Sequence, residues 1–157
     1  EAMSESIKIL EENNVQVIWQ TGKNYYEHFK MMNSDRVKIY DFIEDMNSAY
    51  SACDLLLARA GATTIAELLN LGIPAILVPS PNVAENHQYY NAKSLSDNEA
   101  AILIEDKELK KDMVKNVLEV LNSESKLSEL KKKALRMAKP DAAKVIAQNA
   151  IKFAEAV

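Results

Sequence analysis

Nine residues near the middle of the chain, Arg59-Ala-Gly-Ala-Thr-Thr-Ile-Ala-Glu67, have the types and spacing to hold an anion. A glycine at a strand-to-helix turn lets the backbone approach a ligand closely. The amides of Ala62, Thr63 and Thr64 at the start of the following helix have no acceptor within it, so they suit a phosphate or pyrophosphate. In a helix beginning there, Ile65, Leu68 and Leu69 fall on one face, while Thr63 and Glu67, four residues apart, stack on the opposite side. Glu67 then stands one turn in from the anion site, where a carboxylate can accept hydrogen bonds from the two hydroxyls of a ribose. The same spacing also describes a solvated helix glutamate.

Two further stretches carry polar chemistry. Asn86-His-Gln-Tyr-Tyr-Asn91 follows a proline-bounded loop, and Asn86, His87 and Gln88 offer neutral donors and acceptors suited to uncharged sugar hydroxyls. His87 reads either as a general base or as a hydrogen-bonding, capping group; no carboxylate or serine sits at a spacing that completes a triad. Tyr40-Asp-Phe-Ile-Glu-Asp-Met46 reads as a loop whose backbone pairs with the edge of a planar base, with Phe42 or Met46 as an apolar wall, or equally as a loop folded onto the core. Neither a GxGxxG nor a P-loop lysine motif nor HExxH is present, and two histidines, His28 and His87, do not make a catalytic metal cluster.

The elements that must position these groups alternate. An amphipathic helix with Met3, Ile7 and Leu10 on one side precedes a strand at Val15–Trp19 and a helix from Asn24 to about Met32. Strands at Val37–Tyr40, Leu55–Ala58, Ala75–Val78 and Ala101–Ile104 alternate with helices at Met46–Ala52, Thr63–Leu71 and Glu85–Ser96. Gly72 stands where a left-handed cap ends a helix, and from Lys107 onward the chain reads as helical, with Pro140-Asp141 separating the last two helices. Continuously apolar strands in this alternation predict an α/β fold, a Rossmann-like parallel sheet flanked by helices with a helical carboxyl-terminal tail. The loops Asp41–Asp45, Arg59–Thr64 and Pro79–His87 should then share one rim, outside the carboxyl ends of the strands.

Composition narrows the function classes. The 157 residues, 48% apolar and 27% charged, describe one ordinary globular domain with no internal boundary. Twenty-three acidic against 19 basic residues give a net charge of −4, which argues against nucleic acid as a partner. The apolar runs Ala52–Ala58 and Ile73–Val78 stop far short of the ~20 residues a membrane-spanning helix needs. Cys53 is the only cysteine, which excludes an internal disulfide and fits a reducing cytoplasm. The basic run around Lys131-Lys-Lys133, Arg136 and Lys139 reads as a solvated helix face or as a contact for an anionic membrane surface.

Taken jointly, Tyr-Asp-Phe-Ile-Glu-Asp-Met, Arg-Ala-Gly-Ala-Thr-Thr-Ile-Ala-Glu, Gly-Ile-Pro-Ala-Ile-Leu-Val-Pro and Glu-Asn-His-Gln-Tyr-Tyr-Asn-Ala resemble one family in uninterrupted order from about Val15 to Ile104. It is the carboxyl-terminal, donor-binding half of the bacterial N-acetylglucosaminyltransferases that convert lipid I to lipid II in peptidoglycan synthesis. The resemblance implies one half of a GT-B glycosyltransferase, inverting and metal-independent, with UDP-N-acetylglucosamine as donor and no cofactor. It implies that the backbone at Ile43 pairs with uracil and that Glu67 holds the ribose hydroxyls. The amides of Ala62, Thr63 and Thr64 would face the diphosphate, with Ile65 and Ala66 completing the donor-contacting run. Gln88, with His87 beside it, would contact the sugar, and Phe42, Met46, Arg59 and Gly61 would line the same site.

Two features depart from the family. Its glycine-rich loop, with a serine reaching the donor, and the strand feeding that loop belong ahead of the first helix of this chain. Glutamine is frequent where this chain has His87. The lipid I acceptor site, the catalytic base and the surface that docks on the cytoplasmic side of the membrane belong to the amino-terminal half, so this chain alone is expected to be inactive. Within the same fold, another UDP-sugar transferase or a non-hydrolysing UDP-sugar epimerase fits the pattern, and outside it a non-catalytic nucleotide-binding module or a helical partner domain.

Overall fold

In the computed structural model, which describes residues 1–155, the alternation becomes α1 (Ala2–Glu12), β1 (Val17–Gln20), α2 (Lys23–Phe29), a 3-10 turn at Lys30–Met32, β2 (Val37–Tyr40), α3 (Met46–Ser51) and β3 (Leu56–Ala58). There follow α4 (Ala62–Leu71), β4 (Ala75–Leu77), a 3-10 turn at Ala84–Asn86, α5 (His87–Asp97) and β5 (Ile102–Leu103). Beyond a 3-10 turn at Asp106–Glu108, the chain ends in α6 (Leu109–Leu121), α7 (Glu124–Met137) and α8 (Ala142–Glu155).

Where the boundaries differ from the sequence expectation, backbone hydrogen bonds give the reason. The first strand begins at Val17 instead of Val15 because the Val15 N–H turns back to the Leu10 carbonyl at 3.0 Å, closing the end of α1. The helix expected from Glu85 starts two residues later, because Glu85 and Asn86 take φ of 53° and 55°, left-handed values that no α-helix contains.

All strand pairs are parallel, but the one sheet the sequence suggested is two. β1 pairs with β2, Val17 opposite Val37, and β4 lies between β3 and β5, with Leu56 opposite Ala75 and Ile76 opposite Ile102. Among the described residues, β1, β2, β3 and β5 each have a strand on one side only. A shared apolar cluster nevertheless spans both sheets: Ile7 and Leu10 of α1, Val37 and Ile39 of β2, Ile76 of β4, and Met113 and Val117 of α6 all belong to it. On the other face, Leu68, Leu69, Ala75, Leu77, Ala92, Leu95 and Ala134 form a second cluster. Burial on both faces therefore holds for β4, whose three residues are fully buried, while β3 is half-buried and Ile18 of β1 is exposed.

α4 ends as its sequence predicts. Gly72 takes φ of 65°, its N–H donates to Leu69 O, and the Ile73 N–H donates to Leu68 O at 3.0 Å. A Cβ on Gly72 would lie 2.7 Å from Cγ of Leu135 on α7, the helix packed against α4. Strain in the left-handed region adds to that clash, so Gly72→Ala is expected to lower unfolding free energy by about 1–2 kcal/mol, read as a lower urea midpoint.

Candidate functional site

Because the strands are parallel within each sheet, the loops after β3 and β4 leave from the same end of theirs. The turn after β3 is the simplest. Gly61 has ordinary extended values, φ −70° and ψ 147°, and the first amide to close the helix is that of Ile65, donating to Gly61 O at 3.0 Å. The amides of Ala62, Thr63 and Thr64 precede it and have no acceptor within the helix. Ile65 therefore differs from these three: its amide is taken and its side chain packs on the core. Leu68 and Leu69 are buried on the same side, whereas Ala62, Thr63, Ala66 and Glu67 are exposed, the division of faces expected from the spacing.

Glu67 is not a loose surface side chain. The hydroxyl of Tyr50, on α3, donates to its Oε2 at 2.8 Å. Burial first, and the bond to Glu67 second, push the Tyr50 hydroxyl up to about 12, so it remains a donor throughout the neutral range. On the helix expected at Met46–Ala52, Tyr50 falls in register with Met46 and Ala49. Nothing local in the chain signals a partner 17 positions away on another helix.

The Asp41–Asp45 loop feeds α3. Asp45 caps that helix, its carboxylate accepting from the Ser48 N–H at 3.0 Å and from the Ser48 hydroxyl at 2.5 Å, which lowers its pKa. Phe42 is exposed, and its N–H donates to the Asp41 carboxylate at 2.8 Å. The Ile43 N–H donates at 2.8 Å to Oε1 of Gln20, at the end of β1, a residue the sequence reading passed over. Phe42, Ile43, Asp45 and Ser48, together with Ile18 and Tyr40, line an open cleft of about 480 Å³. Met46 begins α3 half-buried and is not part of that lining.

On the far side of α4 the polar groups are tied to one another. Gln88 Oε1 accepts from the Ser80 N–H at 2.9 Å, so its amide nitrogen is the part left to face outward. Asn91 Nδ2 donates to Ala60 O at 3.2 Å, fastening α5 to the turn before Gly61. His87 is exposed, with Nδ1 2.9 Å from Ala84 O, a contact to the turn that precedes α5. Arg59 pairs with Asp106 at 2.5 Å and also donates to the carbonyls of Val78 and Pro79, each at 3.3 Å. Its guanidinium thus braces the loops after β4 and β5. Those loops, with Ser80, Asn86, Tyr89 and Asp106, border a second cleft of about 620 Å³.

Comparison with known proteins meets this geometry. The model of the glycosyltransferase family 28 C-terminal domain matches residues 1–146. The chain belongs to that family. Among relatives of the family 28 domain, the UDP-N-acetylglucosamine–N-acetylmuramyl-(pentapeptide) pyrophosphoryl-undecaprenol N-acetylglucosamine transferase of Cytophaga hutchinsonii is 44% identical over 90% of this chain and 38% of its own length. The transferase of that name from Bacteroides thetaiotaomicron is 44% identical over 94% of the chain and 41% of its own. The chain thus spans about two fifths of the length of these curated relatives.

The crystal structure of Acinetobacter baumannii MurG superposes on 87% of this chain and 43% of its own, with a TM-score of 0.77 at 30% identity. The glycotransferase of kitacinnamycin, at 18% identity and a TM-score of 0.62, shares the fold. The expected α/β class, parallel strands flanked by helices with a helical carboxyl-terminal end, is borne out for this family 28 domain. Among the described residues, no helix is long and apolar enough to cross a membrane.

Proposed function

We propose that this family 28 domain is the donor-binding part of an enzyme that moves N-acetylglucosamine from UDP-N-acetylglucosamine to lipid I, making lipid II for peptidoglycan. The observation that carries the reading is the start of α4: three amides without helical acceptors, an open Gly61, and Glu67 fixed one turn further on. The names of relatives 44% identical over nine tenths of the chain supply the substrate class.

In this reading the diphosphate rests on the amides of Ala62, Thr63 and Thr64, and the ribose hydroxyls donate to Glu67. Uracil pairs with the backbone of Ile43 and takes over the N–H that Gln20 now accepts; an amide carbonyl and a uracil carbonyl are equivalent acceptors for it. The sugar lies toward Gln88 and His87. An acceptor hydroxyl, giving its proton to a base, attacks C1 from the face opposite UDP, so configuration inverts, the C1–O bond breaks, and UDP leaves with the electron pair. The amides of α4 stabilise the charge growing on the diphosphate, and no metal is required for that role.

The base, the lipid I site and the membrane-docking surface on the cytoplasmic side belong to the other part of the full-length enzyme. The glycine-rich loop and its strand would precede α1, and a right-handed crossover through α1 would lay that strand beside the open edge of β1.

Glu67→Gln keeps the size of the side chain and removes the charge that receives two hydroxyls. In the full-length enzyme it is expected to weaken UDP binding about tenfold by calorimetry, while binding of inorganic pyrophosphate stays the same. Absence of any uridine-dependent heat in the unmutated enzyme would overturn the reading.

A further inference from the structure

Glu67 and Tyr50 meet across two helices that follow different strands. α3 follows the loop of Phe42 and Ile43, and α4 begins at Gly61. The Tyr50 ring is half-buried and packs on the cluster containing Leu68, Leu69 and Ala60, with Cys53 and Leu56 beside it. Its hydroxyl bonds Glu67, an exposed residue. A ring fixed by packing thus presents a donor in a set place, while the glutamate has three side-chain torsions that water alone would not fix.

The bond engages one lone pair of Oε2 and leaves Oε1 and the rest of Oε2 to accept. A cis-diol needs that divided arrangement, with both carboxylate oxygens in a set plane. The Tyr50 hydroxyl stays protonated well above neutral pH, so it donates to the carboxylate throughout that range.

Resting on the donor reading above, we propose that Tyr50 is a positioning residue for the nucleotide sugar: its hydroxyl sets the Glu67 carboxylate to receive the ribose hydroxyls and holds α3, with the uracil-facing loop, in register with α4. Tyr50 touches no reacting atom. Its effect belongs in ground-state binding, so it should appear in KM with kcat nearly unchanged.

Tyr50→Phe keeps the ring and deletes only the donor. In the full-length enzyme KM for UDP-N-acetylglucosamine is expected to rise about five- to tenfold with kcat within about twofold. For the donor analogue whose uridine lacks the 2′-hydroxyl, the same substitution should raise KM by less than about threefold, because Glu67 has less left to receive. Combined with Glu67→Gln, it should add little to the Glu67→Gln effect.

A Tyr50→Phe enzyme with unchanged KM, beside a Glu67→Gln enzyme whose KM rises, would overturn the positioning role and leave the donor reading standing. If neither substitution moved KM, the donor reading itself would fall. Equal losses with both donors, accompanied by a lowered thermal midpoint, would reduce Tyr50 to a packing residue and overturn the proposal as well.

Discussion

Gly61→Val is expected to leave the chain folded and to cut turnover of the full-length enzyme by about a hundredfold or more. The two halves of that expectation have separate causes. Gly61 needs no glycine for its backbone, since φ −70° and ψ 147° are open to any residue. It needs none for space within the protein either, because an added Cβ would find its nearest neighbour, Thr64 Oγ1, at 3.9 Å. The folding cost is confined to a poorer helix cap, about 1 kcal/mol.

What the valine does change is the approach to the amides of Ala62, Thr63 and Thr64. A branched side chain at the mouth of that turn holds a diphosphate away from donors whose effect depends on distances near 3 Å, and the loss is largest when charge on the leaving group is greatest. The check is kcat beside the thermal midpoint of the same preparation. Unchanged turnover would remove the α4 start from the transition state, and a collapsed midpoint would contradict the open space seen at Gly61.

How far the site could be read from the chain depended on whether its determinants were local. α4 was legible throughout: the apolar period of Ile65, Leu68 and Leu69, the stop at Gly72 and the outward side of Glu67 are all set within ten residues. That the loops after β3 and β4 share one end was legible as well, because parallel strands of one sheet put successive loops at one end. Tyr50, Gln20 and Asn91 were not, since each acts through a bond to an element 17, 23 or 31 positions away. Their residue types fit packing, a strand end and a helix surface equally well. The left-handed pair Glu85 and Asn86 was hidden for another reason: neither is glycine, so composition gave no sign that the helix would start late. The division of the sheet escaped because strand patterns report that a segment is extended and buried, and say nothing of which edge lacks a neighbour.

Leu68→Ala is the substitution expected to cost most in stability, about 3 kcal/mol. Leu68 is fully buried on the face of α4 opposite Glu67, inside the cluster that joins Leu77 and Ala75 of β4 to Leu95 of α5 and Ala134 of α7. Elements on several sides are held by their own hydrogen bonds and cannot close around the vacancy, so the cavity term adds to the lost burial. The neighbouring leucines test whether packing, and not helix propensity, is the cause. Leu69 is 9% exposed and its truncation should cost somewhat less, whereas Leu71, 52% exposed on the same helix, should change stability by no more than about 0.5 kcal/mol. Urea unfolding with an unchanged slope is the measurement. Equal losses at all three positions would mean that α4 is not seated on β4 by this face, and the outward placement of Thr63 and Glu67, on which the donor site depends, would be lost with it.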